Sequence, residues 1–208
     1  MQQLLCSSGY NSKNSMILLQ KAIADAEKIV ELLSPHTSKI YIAGSCRRQK
    51  PEVDDIDIVC LPKRKLIRDV FGEFYESADR TKTFIQTVDS LGTIIKGSAI
   101  DGRSMRIRLH SSIPLDLSMP NDFDFYRVLA LRTGSPDYAR EILAKGWRRR
   151  GWCGTEDGLR KEKDCVQRAN KTWKCVNSNP ELPPVWQSEE EFFEWLKVRW
   201  VLPKDRNV

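Results

Sequence analysis

The sequence predicts an α+β protein. Two segments with apolar residues at helical spacing, 16–33 and 188–200, bracket a run of short apolar stretches set apart by Gly, Pro, Ser and Asn. Pro120-Asn121-Asp122 breaks the chain into a sheet-rich part, 1–120, and a smaller C-terminal part, 121–208. At 208 residues there is material for one substantial core, or for two small subdomains sharing a cleft.

In residues 16–33, Ile17, Ala22, Ile29, Val30 and Leu33 recur on one face of a helix, and Ser34-Pro35-His36 ends it. Residues 39–43 read as a strand, turned by Gly44-Ser45. Residues 55–60 read as a second strand with acid and apolar positions alternating, closed by Leu61-Pro62. Residues 66–75 read as a short helix, and 83–88 and 93–95 as strands. Residues 105–109 and 113–119 are further strands across Ser111-Ser112. Residues 124–131 and 137–145 are expected to be helices on either side of the turn Thr133-Gly134-Ser135-Pro136. Residues 146–179, rich in charge, Gly and Trp, read as a loop-dominated module with short strands. After an extended segment at 180–184, Ser188 and three glutamates start a last helix, with acids at the positive end of its dipole. That helix is expected to run to Trp200 and to stop before Pro203. Its stripe Phe192, Trp195, Leu196 and Trp200 is core.

Composition narrows the function classes. Forty per cent hydrophobic and 30% charged residues suit a folded domain, and a net charge of +6 suits a polyanionic partner. Six cysteines without CxxC spacing, beside two histidines, argue against zinc. Cys153, Cys165 and Cys175 read as small core or surface residues. No apolar run is long enough to span a membrane, and residues 1–10 lack the pattern of a secretory signal. The expected location is cytoplasmic, or with host nucleic acid, and not secreted.

The chemistry concentrates in Asp55-Ile56-Asp57. On a strand, residues i and i+2 share a face, so two carboxylates aim at one region while Ile56 and Ile58 enter the core. Two such charges about 4 Å apart repel by about 4 kcal/mol at an effective dielectric of about 20. A bound cation turns that cost into affinity, and hard oxygen donors select magnesium or manganese. Ten residues before Asp55 stands Ser45 in a Gly44-Ser45 turn. There a glycine allows close approach of a phosphate, and Arg47 and Arg48 can neutralise it. Asp116, flanked by Leu115 and Leu117, is a costly place for an isolated carboxylate and supplies a third acid.

These motifs resemble the polymerase β-like nucleotidyltransferase superfamily, and within it the family X DNA polymerases. Gly44-Ser45-Cys46-Arg47-Arg48 and Asp55-Ile56-Asp57 are followed in order by Pro114-Leu115-Asp116-Leu117, Arg132-Thr133-Gly134-Ser135 and Pro203-Lys204-Asp205-Arg206. The resemblance implies a nucleotidyltransferase palm with a mixed β-sheet and flanking helices, plus a small nucleotide-selecting C-terminal α/β subdomain. It implies two magnesium ions, replaceable by manganese: Asp55 and Asp57 on both, Asp116 on the one beside the primer 3′-hydroxyl. Gly44, Ser45 and Arg48 would face the phosphates, with Lys13 as a further phosphate contact, and Arg132, Thr133, Gly134 and Ser135 the nucleotide sugar. The implied partners are gapped or primer-template DNA and a dNTP, and the implied state is a monomer. The implied reaction is short-gap filling in DNA repair, with a template-independent transferase or one acting on RNA, protein or a small molecule as the alternative.

Lys96, Arg148, Arg149, Lys204 and Arg206 are candidate DNA contacts, the central pair lying between Trp147 and Trp152. The sequence also departs from the family. About 40 residues precede Gly44, too few for the helical lyase domain of longer members, so no lyase activity is expected. Leu131-Arg132 stands where the family carries two aromatics, which leaves the choice of nucleotide sugar open. Pro114 replaces an arginine common two residues before the third carboxylate.

Overall fold

A computed structural model describes residues 17–207 and shows a mixed α+β architecture. Lys13 and Cys6 lie outside the described residues. A short strand β1 (Ile17–Leu18) leads into helix α1 (Leu19–Leu33), which buries Ala22, Ala26, Ile29 and Leu33. Strand β2 (Thr37–Ile42) follows, then the single-turn helix α2 (Gly44–Arg47), β3 (Glu52–Val53) and β4 (Ile56–Pro62).

Two expectations fail in the next segment. Residues 66–75 form no helix. Strands β5 (Arg64–Arg68) and β6 (Phe74–Arg80) make an antiparallel hairpin instead. Its turn is built by Asp69, whose carboxylate accepts from the amides of Phe71 and Glu73, and by Gly72 at φ +91°. Residues 83–88 are no strand but helix α3 (Lys82–Asp89). The Thr81 hydroxyl caps it by accepting from the Phe84 amide, and Phe84 and Val88, one turn apart, are buried together.

Strands β7 (Gly92–Gly97), β8 (Ser104–Leu109) and β9 (Pro114–Ser118) complete a five-stranded sheet in the order β2-β4-β9-β8-β7. The pair β4–β9 is parallel, and the other pairings are antiparallel. Alternation sorts its two faces. Ile56, Ile58, Cys60, Met105, Ile107, Leu115 and Leu117 join α1 and α3 in one core. The opposite face meets helix α4 (Phe125–Thr133) through Ala43, Val59, Phe125 and Leu129.

Beyond α4, α5 (Pro136–Tyr138), a π turn over Ala139–Ala144 and α6 (Lys145–Arg149) run on as one helical stretch. The segment expected to be mostly loop holds a four-stranded sheet, β11-β10-β13-β12. Its strands are β10 (Trp152–Thr155), β11 (Gly158–Lys161), β12 (Cys165–Gln167) and β13 (Trp173–Cys175). Helix α7 (Glu189–Leu196) ends before Trp200 because Lys197 takes a left-handed conformation, φ 56°, and turns the chain away. A second core gathers Tyr138, Leu143, Trp147, Trp152, Trp186, Phe192, Phe193 and Leu196. Arg150 lies 4.8 Å over the Trp195 ring and Lys161 4.4 Å over that of Trp152. Among the described residues no helix is long and apolar enough to cross a membrane.

Candidate active site

Strand register assembles the site. Asp57 on β4 lies beside Asp116 on β9, Asp116 opposite Arg106 on β8, and Arg106 opposite Lys96 on β7. Two acids and two bases therefore form a row across four neighbouring strands. Asp57, Asp116 and Arg106 sit on the face turned away from the α1 core, because their apolar strand neighbours fill that core. Asp55 precedes β4 by one residue and still reaches the row. Arg106 donates to Asp116 Oδ2 at 2.9 Å and to Asp55 Oδ2 at 3.3 Å.

The phosphate-loop candidate abuts this row. Gly44 takes φ +60°, and a methyl group on it would lie 2.0 Å from Asp57 Oδ2. Glycine is therefore required twice, by the backbone conformation and by the carboxylate packed on its Cα. Ser45 follows in the same turn, half-buried, and Arg48 bridges to α4 by donating to the Thr133 carbonyl at 2.7 Å.

Electrostatics mark Asp57 as the strained member. Burial, then the charge of Asp55 and, less strongly, of Asp116 push its carboxyl up to about 7, against the pull of Arg132 and Arg48. Asp55 is raised as well, by burial and by Asp116, with Arg106 opposing. Beside them burial, then the charges of Asp57 and Asp55, hold the Cys46 thiol up at about 11. Three mutually repelling hard-oxygen donors fit a magnesium or manganese ion. As the side chains stand, the row closes through Arg106. Among the described residues no three acidic, thiol or imidazole groups already form an ion cage.

A cleft of about 230 Å³ opens over the Lys96, Arg106 and Asp116 part of the row, lined also by Ser104, Ser118 and Arg132. It adjoins a second, of about 390 Å³, between the β8–β9 ends and α4, to which Leu131, Arg132, Arg103 and Asp157 contribute. Arg132 thus stands in the cleft, with its charge felt at Asp57.

Several candidates have other roles. The Thr133 side chain is fully buried and accepts from Arg47 at 2.8 Å, so it presents no hydroxyl to the cleft. The Ser135 hydroxyl caps the following helix, accepting from the Tyr138 amide, and Gly134 packs on the Tyr138 ring. Arg206, expected to touch DNA, is fully buried. It donates to both oxygens of Glu189, at 2.7 and 3.2 Å, and lies over the Phe193 ring. The same carboxylate receives two bonds from Arg47, at 3.0 and 2.7 Å, which removes Arg47 from the phosphate-binding candidates. Lys96, Arg148, Arg149 and Lys204 are exposed.

Sequence reasoning missed Arg106 and Glu189. Arg106 could have been found as the basic residue between the apolar Met105 and Ile107, but its register against Asp116 could not. Glu189 looked like one of three dipole-complementing acids at a helix start. The chain matches no protein-family model and no curated protein at a significant level.

Proposed function

We propose that this chain is a metal-dependent nucleotidyltransferase with a family X-like palm, extending a DNA primer 3′-hydroxyl with a deoxynucleotide. The observation that carries the reading is the registered pair Asp57–Asp116, with Asp55 beside it and Gly44 packed directly on Asp57. Asp55 and Asp57 would hold two magnesium ions and Asp116 one of them. Bound there, the ions lower the pKa of the attacking hydroxyl and neutralise the reacting phosphate. Gly44 lets the triphosphate approach the backbone, with Ser45 and Arg48 as its partners. Arg132, which lines the cleft with Asp116, would face the nucleotide sugar. Lys96, at the basic end of the row, would meet the primer backbone, and Arg148, Arg149 and Lys204 offer further phosphate contacts.

Labelled dNTP, magnesium and a one-nucleotide DNA gap test this. Incorporation that is lost in Asp116→Ala supports the proposal. No incorporation at any DNA end, with transfer to RNA or a small molecule, would establish the alternative acceptor class. Parallel reactions with rNTP decide what Leu131-Arg132 does to sugar choice.

A further inference from the structure

Three cysteines of the C-terminal sheet, distant in sequence, come together in space. Cys153 lies on β10, Cys165 on β12 and Cys175 on β13, and all are free thiols. Strands β12 and β13 are antiparallel, with Cys165 directly opposite Cys175. The backbone bonds Val176 N to Asp164 O, 2.9 Å, and Arg168 N to Thr172 O, 2.8 Å, fix the phase of the ladder. Hydrogen-bonded pairs alternate along such a ladder, so Cys165–Cys175 occupies a non-hydrogen-bonded position, where facing Cα atoms approach to about 4.5 Å. A disulfide needs about 4.4–6.8 Å. Cys153 is fully buried and close enough to Cys165 and Cys175 for their charges to be felt, while Cys165 and Cys175 are each partly open to solvent.

We propose that Cys165 and Cys175 are an oxidation site, which a peroxide-class oxidant converts into a cross-strand disulfide at the open end of the β12–β13 hairpin. The Cys175 sulfur attacks one peroxide oxygen, the O–O bond breaks, and the departing hydroxide takes up the thiol's proton, so that a sulfenic acid and water result. The Cys165 sulfur then attacks that sulfur, its S–H proton passes to the departing hydroxyl, and water leaves as the S–S bond forms. In balance, two thiols and one hydrogen peroxide give one disulfide and two waters, and the sulfurs lose two electrons. Cys165 acts second, because burial and the two neighbouring thiols hold it in the protonated form, up at about 12. The hairpin joins the rest of its sheet through the single pairing Thr155↔Trp173, so a covalent clip at its base constrains the least anchored part of that sheet.

The test is peroxide treatment of the native full-length chain, followed by thiol counting and non-reducing peptide mapping. The six thiols should fall to four, with the Cys165–Cys175 peptide pair linked. Cys153→Ser should lose two thiols in the same way, and Cys175→Ser should form no intramolecular disulfide. Urea-unfolded protein should lose the selectivity for this pair. A link between Cys153 and Cys165, a disulfide persisting in Cys175→Ser, or six thiols surviving excess peroxide in the native chain would overturn the proposal.

Discussion

Gly44 and Asp57 are bound to each other sterically, and each carries a prediction. Gly44→Ala must place a non-glycine residue at φ +60° and a methyl group against the Asp57 carboxylate. The backbone term alone costs about 1–2 kcal/mol. Chemical denaturation should show at least that loss, and nucleotidyl transfer should fall by more than tenfold because Asp57 is displaced. Unchanged stability and activity would mean that this contact does not shape the site. Asp57 itself predicts an inverted pH response. Its carboxyl is raised from 3.8 to about 7, so the folded state binds this proton more tightly than the unfolded state does. The penalty is fully present above about pH 7 and disappears as pH falls toward 4. At ~1.4 kcal/mol per pKa unit it amounts to a few kcal/mol. Melting with chelator present should therefore show Asp57→Asn more stable than wild type at pH 7.5, with the difference vanishing near pH 4. An equal difference at both pH values would contradict the assignment. Arg106, joining Asp116 to Asp55, predicts competition. Arg106→Gln should bind manganese several-fold more tightly in a titration, and weaker binding would make Arg106 a supporting group instead.

Helix α7 and the end of α2 are joined by Glu189, which holds Arg47 on one side and Arg206 on the other. Burial raises the Glu189 carboxyl, but the hydrogen bonds and charges of Arg206 and Arg47 outweigh that and hold it below the usual carboxylate range. Removing the shared anion leaves the fully buried Arg206 unpaired. Glu189→Gln should then cost about 3–5 kcal/mol in urea denaturation. Glu189→Gln with Arg206→Met should recover part of it, and a single-variant cost under about 1 kcal/mol would refute the clasp. The elements that could be read from sequence were those whose pattern and burial coincide. Helix α1 and strands β2, β4, β8 and β9 alternate or repeat as the core demands. The failures came where local chemistry overrode pattern. Asp69 and Gly72 turn an apparent helix into a hairpin. The Thr81 cap makes Phe84 and Val88 helical despite their β propensity. Lys197 ends α7 through a left-handed backbone that no proline or glycine announces.

In the molecule as a whole, α4 packs on the sheet through Phe125 and Leu129 and into the C-terminal core through Ala130, and a cleft beside it is lined by Lys96, Arg106, Asp116 and Arg132. The three aspartates and Gly44 were legible because spacing on strands fixes which face a side chain takes. The roles of Arg206 and Thr133 were not, because each is set by a partner far along the chain, Glu189 for Arg206 and Arg47 for Thr133, that leaves no local signature. Register between strands supplied Arg106 and set Lys96 beside it. The claim that this row is a divalent-cation site for nucleotide is tested most directly by manganese binding. Electron paramagnetic resonance can count bound manganese with a non-hydrolysable dNTP present. Two ions per chain in the wild type, and no more than one in Asp116→Asn, are predicted. No bound manganese in the wild type, or an identical count in the variant, would contradict the account.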